Sequence, residues 1–155
     1  RENAALLSSL LRGVPGLILP VEPEGCEHNW YNYTLRFEPQ VLEKIPRAQF
    51  ANPRGRRDVI LKALIAEGVQ TSVWQAFILP SMTVFRAKAG FGRGHPWSHP
   101  SAGPVDYAPE RFPEARRHCD THTGITTPLR FPNGEFQVEA TAEGIRKVLE
   151  NVDSL

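Results

Sequence analysis

Three stretches predict an α/β chain in an α+β arrangement, with helices packed on a small, mainly antiparallel sheet. Residues 57–74 read as an amphipathic helix, a glycine stop and a strand. Residues 28–37, "HNWYNYTLRF", alternate as a half-buried strand does. Ile145, Val148, Leu149 and Val152 recur at i, i+3, i+4 and i+7, the spacing of a helix with one buried face.

The elements follow in order. "NAALLSSLLR" (3–12) places Leu6, Leu7, Leu10 and Leu11 on one helical face, and Gly13 stops it. Leu17, Ile18 and Leu19 supply a strand over 17–20, ended by Pro20, and a polar loop fills 21–27. In the strand over 29–37, Tyr31, Tyr33, Leu35 and Phe37 share one face, and Trp30, Asn32, Thr34 and Arg36 share the other. Aromatics on both faces predict a central strand whose rings pack in the core.

Residues 38–56 read as irregular, with a short helix around Val41–Ile45. "NPRGRR" (52–57) admits a phosphate-contacting loop or a solvated helix entrance, and the second is preferred because charge runs usually face water. In the helix that follows, Ile60, Ala63, Leu64 and Glu67 keep a 3.6-residue period, with Val59 and Ala66 widening the apolar face. Asp58 is expected in the first turn, at the positive end of the helix dipole. Gly68 fits the left-handed position after a helix, and Val69, Thr71 and Val73 then alternate as a strand over 69–74.

A short helix is expected from Pro80 or Ser81 to Lys88. Residues 90–110 are rich in glycine and proline and form the longest irregular stretch. Loops of that length are usually functional or disordered, and Phe91, Trp97 and Tyr107 argue against disorder. Arg93, His95, Trp97 and His99 are suited to contact a phosphate or a base; the alternative is a loop clamped onto protein. Pro113 and Glu114 open a further helix, a strand is expected over 123–128, and Pro132-Asn133-Gly134 makes a turn. Thr141 is the expected N-cap of the last helix, with Glu143 in its first turn.

The totals set limits. The 155 residues suffice for a single domain over 1–155, and the 41% hydrophobic content is that of an ordinary soluble globular chain. A formal net charge of +1 argues against nucleic-acid and membrane-surface partners, and no apolar run reaches membrane-spanning length. Two cysteines make no disulfide framework, which points to a reducing, cytoplasmic setting. Cys26 with His28, and His118 with Cys119 and His122, have some metal-ligand character, yet no metal site is expected from them. The chain opens at Arg1 without a methionine and is amphipathic by Ala4, so it reads as a piece of a longer protein.

"RRDVILKALIAEGVQTSVW" resembles the RD-x3-x-x-L-x-x-x-G-[IV]-x-T segment near the C-terminus of the DegT/DnrJ/EryC1/StrS family, which are pyridoxal 5'-phosphate (PLP) aminotransferases. "HNWYNYTLRF" is similar to that family's "h-x-[YW]-x-x-Y-x-[VIL]-R" strand, "FPEA" to its "[FY]-P-x-A-E" helix and "TGITTPL" to its "x-x-[LI]-x-x-P" strand. The resemblance covers nearly the whole chain but only the C-terminal part of such a protein. It implies the small domain of a fold-type I PLP transferase, with residues 1–13 as the helix linking it to the large domain.

Where many family members carry a histidine or tyrosine after the strand, Trp74 and Gln75 stand here, and Leu79-Pro80-Ser81 replaces a later proline and histidine. The resemblance places the substrate-facing edge at these residues, and Trp74, Gln75, Arg93, His95 and Trp97 are the expected substrate-binding set. It also implies a homodimer, a nucleotide-linked keto-sugar or related keto substrate, and PLP held by an N-terminal domain. Lys44, Lys62, Lys88 and Lys147 lack the serine- and glycine-rich context of the family's Schiff-base lysine. This chain is therefore expected to bind no cofactor alone and to contribute no catalytic residue. The alternative is a self-standing, non-catalytic binding or regulatory module of the same fold.

Overall fold

In the computed structural model, which describes residues 1–46 and 52–155, the chain forms two units. One comprises Arg1–Trp74 and Thr121–Leu155, the other Gln75–Asp120. Part of the irregular stretch expected over 38–56 falls on 47–51 and lies outside the described residues.

The first unit carries the α+β arrangement. Its sheet has three antiparallel strands, β1 (Leu17–Ile18), β2 (Thr34–Phe37) and β3 (His122–Gly124), in the order β1-β2-β3. Leu17 pairs with Phe37, Thr34 with Gly124, and Arg36 with His122. Around it stand α1 (Glu2–Leu11), α2 (Pro39–Lys44), α3 (Pro53–Ala66) and α6 (Glu135–Glu150). The second unit holds the four-residue helix α4 (Thr83–Arg86), and α5 (Pro113–Thr121) ends at the junction with the first.

The core is built from the residues whose spacing predicted it. Leu7 and Leu11 of α1, Leu35 and Phe37 of β2, Ile60 and Leu64 of α3, and Ile145, Val148 and Leu149 of α6 are all buried in one cluster. α1 packs against α6. Arg146 donates from Nη2 to the Leu10 carbonyl at 2.8 Å, so α6 satisfies one of the carbonyls that the end of α1 leaves without a helical partner. The end of α3 is a Schellman motif. Gly68 sits at φ +82, its N–H reaches Ile65 O at 3.0 Å, and Val69 N–H reaches Leu64 O at 2.9 Å. The accompanying apolar contact positions, Val69 and Leu64, are both buried.

Several boundaries move. The strand expected over 29–37 shortens to Thr34–Phe37, because Trp30 adopts φ +56 and Asn29 Oδ1 accepts the Tyr31 N–H at 3.0 Å. That local turn competes with the ladder and ends the alternation. The strand over 69–74 is reduced to one bridge, Ser72 to Gly124. The strand over 123–128 is instead His122–Gly124, followed by a 3-10 turn at Thr127–Leu129, where Pro128 has no N–H to give a ladder.

Two helix starts also move. α3 begins at Pro53, with Asn52 Oδ1 accepting the Gly55 N–H at 2.8 Å, so "NPRGRR" is the helix's own first turns and not an entrance loop. Asp58 consequently lies beyond the first turn, which contains no acid. The solvated reading fails as well: Arg56 and Arg57 are buried, and Arg57 is paired with Asp58 at 2.7 Å. α6 starts at Gly134, not Thr141. Gln137 Oε1 accepts the Gly134 N–H at 3.0 Å, and buried Val138 extends the apolar stripe upstream. Thr141 sits mid-helix, its hydroxyl donating to Gln137 O at 2.7 Å.

Tyr33 anchors the inner face of the sheet. It is fully buried, its ring stacks on Trp30 at 5.5 Å, and its hydroxyl lies 2.7 Å from Ser8 Oγ. Ser8 already donates to the Ala4 carbonyl at 2.9 Å, so Tyr33 is the donor of the pair. Burial raises the Tyr33 pKa above the ordinary tyrosine value of 10.0.

The unfolded chain therefore loses the Tyr33 proton first. The group's contribution to stability is complete below about pH 10 and is lost as pH rises through the folded value. Urea midpoints measured between pH 9 and pH 11.5 should fall more steeply for the wild type than for Tyr33→Phe. Leu7→Ala, which empties a fully buried position, should cost about 2–5 kcal/mol in the same urea measurement at pH 7.

Candidate functional site

The feature of the first unit that most resembles a binding surface is an aromatic corner beside the Ser72–Gly124 bridge. Ser72 and Gly124 exchange both backbone bonds, at 3.0 and 2.7 Å. The Thr123 hydroxyl adds a bond to the Ser72 carbonyl at 3.3 Å. Trp74, two residues beyond the bridge, lays its indole over Gly124. A Cβ at Gly124 would stand 2.5 Å from Trp74 Nε1 and 2.7 Å from Ser72 Oγ, so only glycine admits this approach.

The Trp74 indole is 47% exposed and Tyr31 is 63% exposed, with ring centroids 6.1 Å apart and tilted by 47°. The Arg130 guanidinium stands 5.8 Å from the Tyr31 centroid, within cation–π range. The corner thus offers two exposed aromatic rings and a cation. Continuing the β2–β3 register past Thr34 and Gly124 sets Asn32 opposite Thr126. Asn32 Oδ1 and Thr126 Oγ1 are both buried and lack a hydrogen-bond partner. Each such atom costs about 1–3 kcal/mol. A flat ring carrying an anionic group matches the two exposed rings and the Arg130 cation.

The expected substrate-binding residues are divided between the two units. Trp74 belongs to the corner. Gln75, half-buried, is the first residue of the second unit, which also holds Arg93, His95 and Trp97. There Arg93 is exposed at φ +48, and exposed His95 faces His99 with ring centroids 6.2 Å apart. His99 Nδ1 lies 2.7 Å from Ser101 Oγ. Trp97 is half-buried in a small knot with Phe85 and Tyr107, its indole N–H donating to the Tyr107 hydroxyl at 2.9 Å. The knot explains how a stretch so rich in glycine and proline holds a shape, and it commits the Trp97 donor within the loop.

Sequence periodicity missed Tyr31 and Arg130. Strand alternation put Tyr31 on the core face with Tyr33, whereas the Asn29 turn throws it outward. The signal available was the asparagine two residues ahead of it, since asparagine bonds its own backbone two residues on. A cleft of about 280 Å³ in the second unit is lined by Arg86, Lys88, Asp106 and Tyr107. Another of about 230 Å³ in the first unit is lined by Gln70, Thr127, Asn133, Phe136 and Gln137. Neither includes a residue of the expected set.

Among the described residues, no group of three or more His, Cys, Asp or Glu side chains is placed to hold a metal ion. Cys26 is exposed and Cys119 buried. Among the same residues, no helix is long and apolar enough to cross a membrane. No protein-family model matches the chain, and the search of curated proteins returns no significant match.

Gly124→Ala should displace the Trp74 indole. Of the three tryptophan indole N–H resonances, Trp74's is expected to shift strongly in a nitrogen–proton correlation spectrum, while those of Trp30 and Trp97 stay in place. Three unmoved resonances would show that the indole does not rest on Gly124.

Proposed function

We propose that this chain is the small, active-site-capping domain of a PLP-dependent aminotransferase of the DegT/DnrJ/EryC1/StrS kind. The substrate on this reading is a nucleotide-linked keto-sugar or a related keto compound. The enzyme works as a cytoplasmic homodimer, with PLP held by an N-terminal domain.

One observation carries the reading. The segments similar to that family fall on neighbouring elements and converge at the aromatic corner. "HNWYNYTLRF" supplies Tyr31 and β2, "TGITTPL" supplies Gly124 of β3, and the end of "RRDVILKALIAEGVQTSVW" bridges to that glycine and exposes Trp74. Trp74 stands where many members carry a substrate-facing ring residue.

Exposed Tyr31, Val73, Trp74 and Phe131 cluster in sequence around these elements, which supports a surface meant to be covered by another domain or by a ligand. The lysines support placing the Schiff-base residue elsewhere. Lys44 is paired with Asp153 at 3.1 Å and Lys147 with Glu67 at 2.6 Å, while Lys62 and Lys88 are exposed. The job left to this chain is to orient and enclose the substrate. The rings of Tyr31 and Trp74 stack on its flat faces, Arg130 meets an anionic group, and the closed surface excludes water.

The intact mass of the native gene product tests this directly. A mass well above 17.4 kDa, with a lysine-bearing domain upstream, is expected. A mass close to 17.4 kDa would leave no room for that domain and would move the reading to a non-catalytic binding module. In the full-length enzyme, Trp74→Ala and Tyr31→Ala should each raise KM for the keto substrate about tenfold, in keeping with ~1–3 kcal/mol per stacked ring. Thermal stability should change little, because both rings are exposed.

A further inference from the structure

We propose that the N-terminal end of α3, with Arg56, is a binding site for a phosphate-class anion. The first turn of α3 contains no acid, and Arg56 stands near the positive end of the helix dipole. Arg57 follows, and its guanidinium is taken up by Asp58, with Nε at 2.9 Å and Nη2 at 2.7 Å from the same carboxylate oxygen.

Arg56 has no such partner. It is only 8% exposed, its Nε is buried without a hydrogen bond, and no carboxylate pairs with it among the described residues. Arginine is almost never buried this far unless an anion accompanies it. Long side chains on a helix lean back over the turn that precedes them, so a residue at this position carries its guanidinium toward the N-terminal turn of α3.

The capping pattern narrows what the site can hold. Asn52 Oδ1 already takes the Gly55 N–H, and the Arg56 N–H bonds the Asn52 carbonyl at 3.3 Å. The anion would therefore be held by the fork of Arg56 and the field of the helix, not by a ring of backbone amides. The guanidinium fork matches the geometry of a phosphate oxygen pair. Free phosphate and the diphosphate of a nucleotide share this chemistry. The inference is independent of the aminotransferase reading, because it uses only the arrangement at α3.

Calorimetric titration of the full-length protein with potassium phosphate, and separately with uridine diphosphate, tests the site at constant ionic strength. Saturable binding of phosphate to the wild type is expected, weakened at least tenfold in Arg56→Gln. Uridine diphosphate binding much more tightly than phosphate would assign the site to a nucleotide, and equal affinities would assign it to the free ion. An Arg56→Gln protein that binds as the wild type does, or a wild type that binds neither probe, would overturn the proposal. Should Arg56→Gln fail to fold, the wild-type Arg56 Nε–H resonance decides. It is expected to shift to saturation with added phosphate, and a resonance unmoved at saturating phosphate would sink the idea.

Discussion

The paired backbone bonds between Ser72 and Gly124 are the constraint on which the first unit depends. The chain leaves that unit after Trp74 and re-enters it at Thr121. Without a closure, the segment after α3 would have no reason to lie against β3. The bridge provides the closure with two short backbone bonds and a third from the Thr123 hydroxyl. It also fixes the aromatic corner, because Trp74 is two residues from the bridge and Gly124 leaves the space that its indole fills. A side chain at residue 124 would oppose both at once.

Burial is divided unevenly between the aromatic residues, and the division has a local cause. Tyr33, just ahead of β2, and Phe37 at its end are buried. Trp30 is tied inward, stacked between His28 and Tyr33, with His28 Nδ1 accepting its backbone N–H at 2.8 Å. Tyr31, one residue later, is outside, because the positive φ of Trp30 inverts the side on which the next residue emerges. The same stretch therefore supplies both core and surface. Its outward residues are those whose energetic role is unexplained by packing within the unit.

The electrostatics of α3 have a different character. Lys44 with Asp153 and Arg1 with Glu27 are exposed pairs of the kind that contribute little. At the start of α3 the cations are instead buried at the positive pole of the helix, one neutralised and one not. Buried charge is tolerated where a partner compensates it, so this asymmetry is what sets that helix end apart from the rest of the surface.

Much of the fold was legible in the residues. The period of Leu7 and Leu11, of Ile60 and Leu64, and of Ile145, Val148 and Leu149 decided three helices and their buried faces, because an amphipathic stripe has only one stable way to meet a core. Gly68 marked the end of α3 for an equally local reason, its freedom at positive φ. What periodicity could not decide was where alternation yields to a competing local bond. The Asn29 turn shortened β2, Pro128 denied β3 its continuation, and Gln137 started α6 at Gly134. The placement of Tyr31 beside Trp74, of Arg130 over Tyr31, and the burial of Arg56 were decided by tertiary structure alone. They arise from segments far apart in sequence, or from the neighbours a helix end meets, and no spacing along the chain encodes which residues those will be.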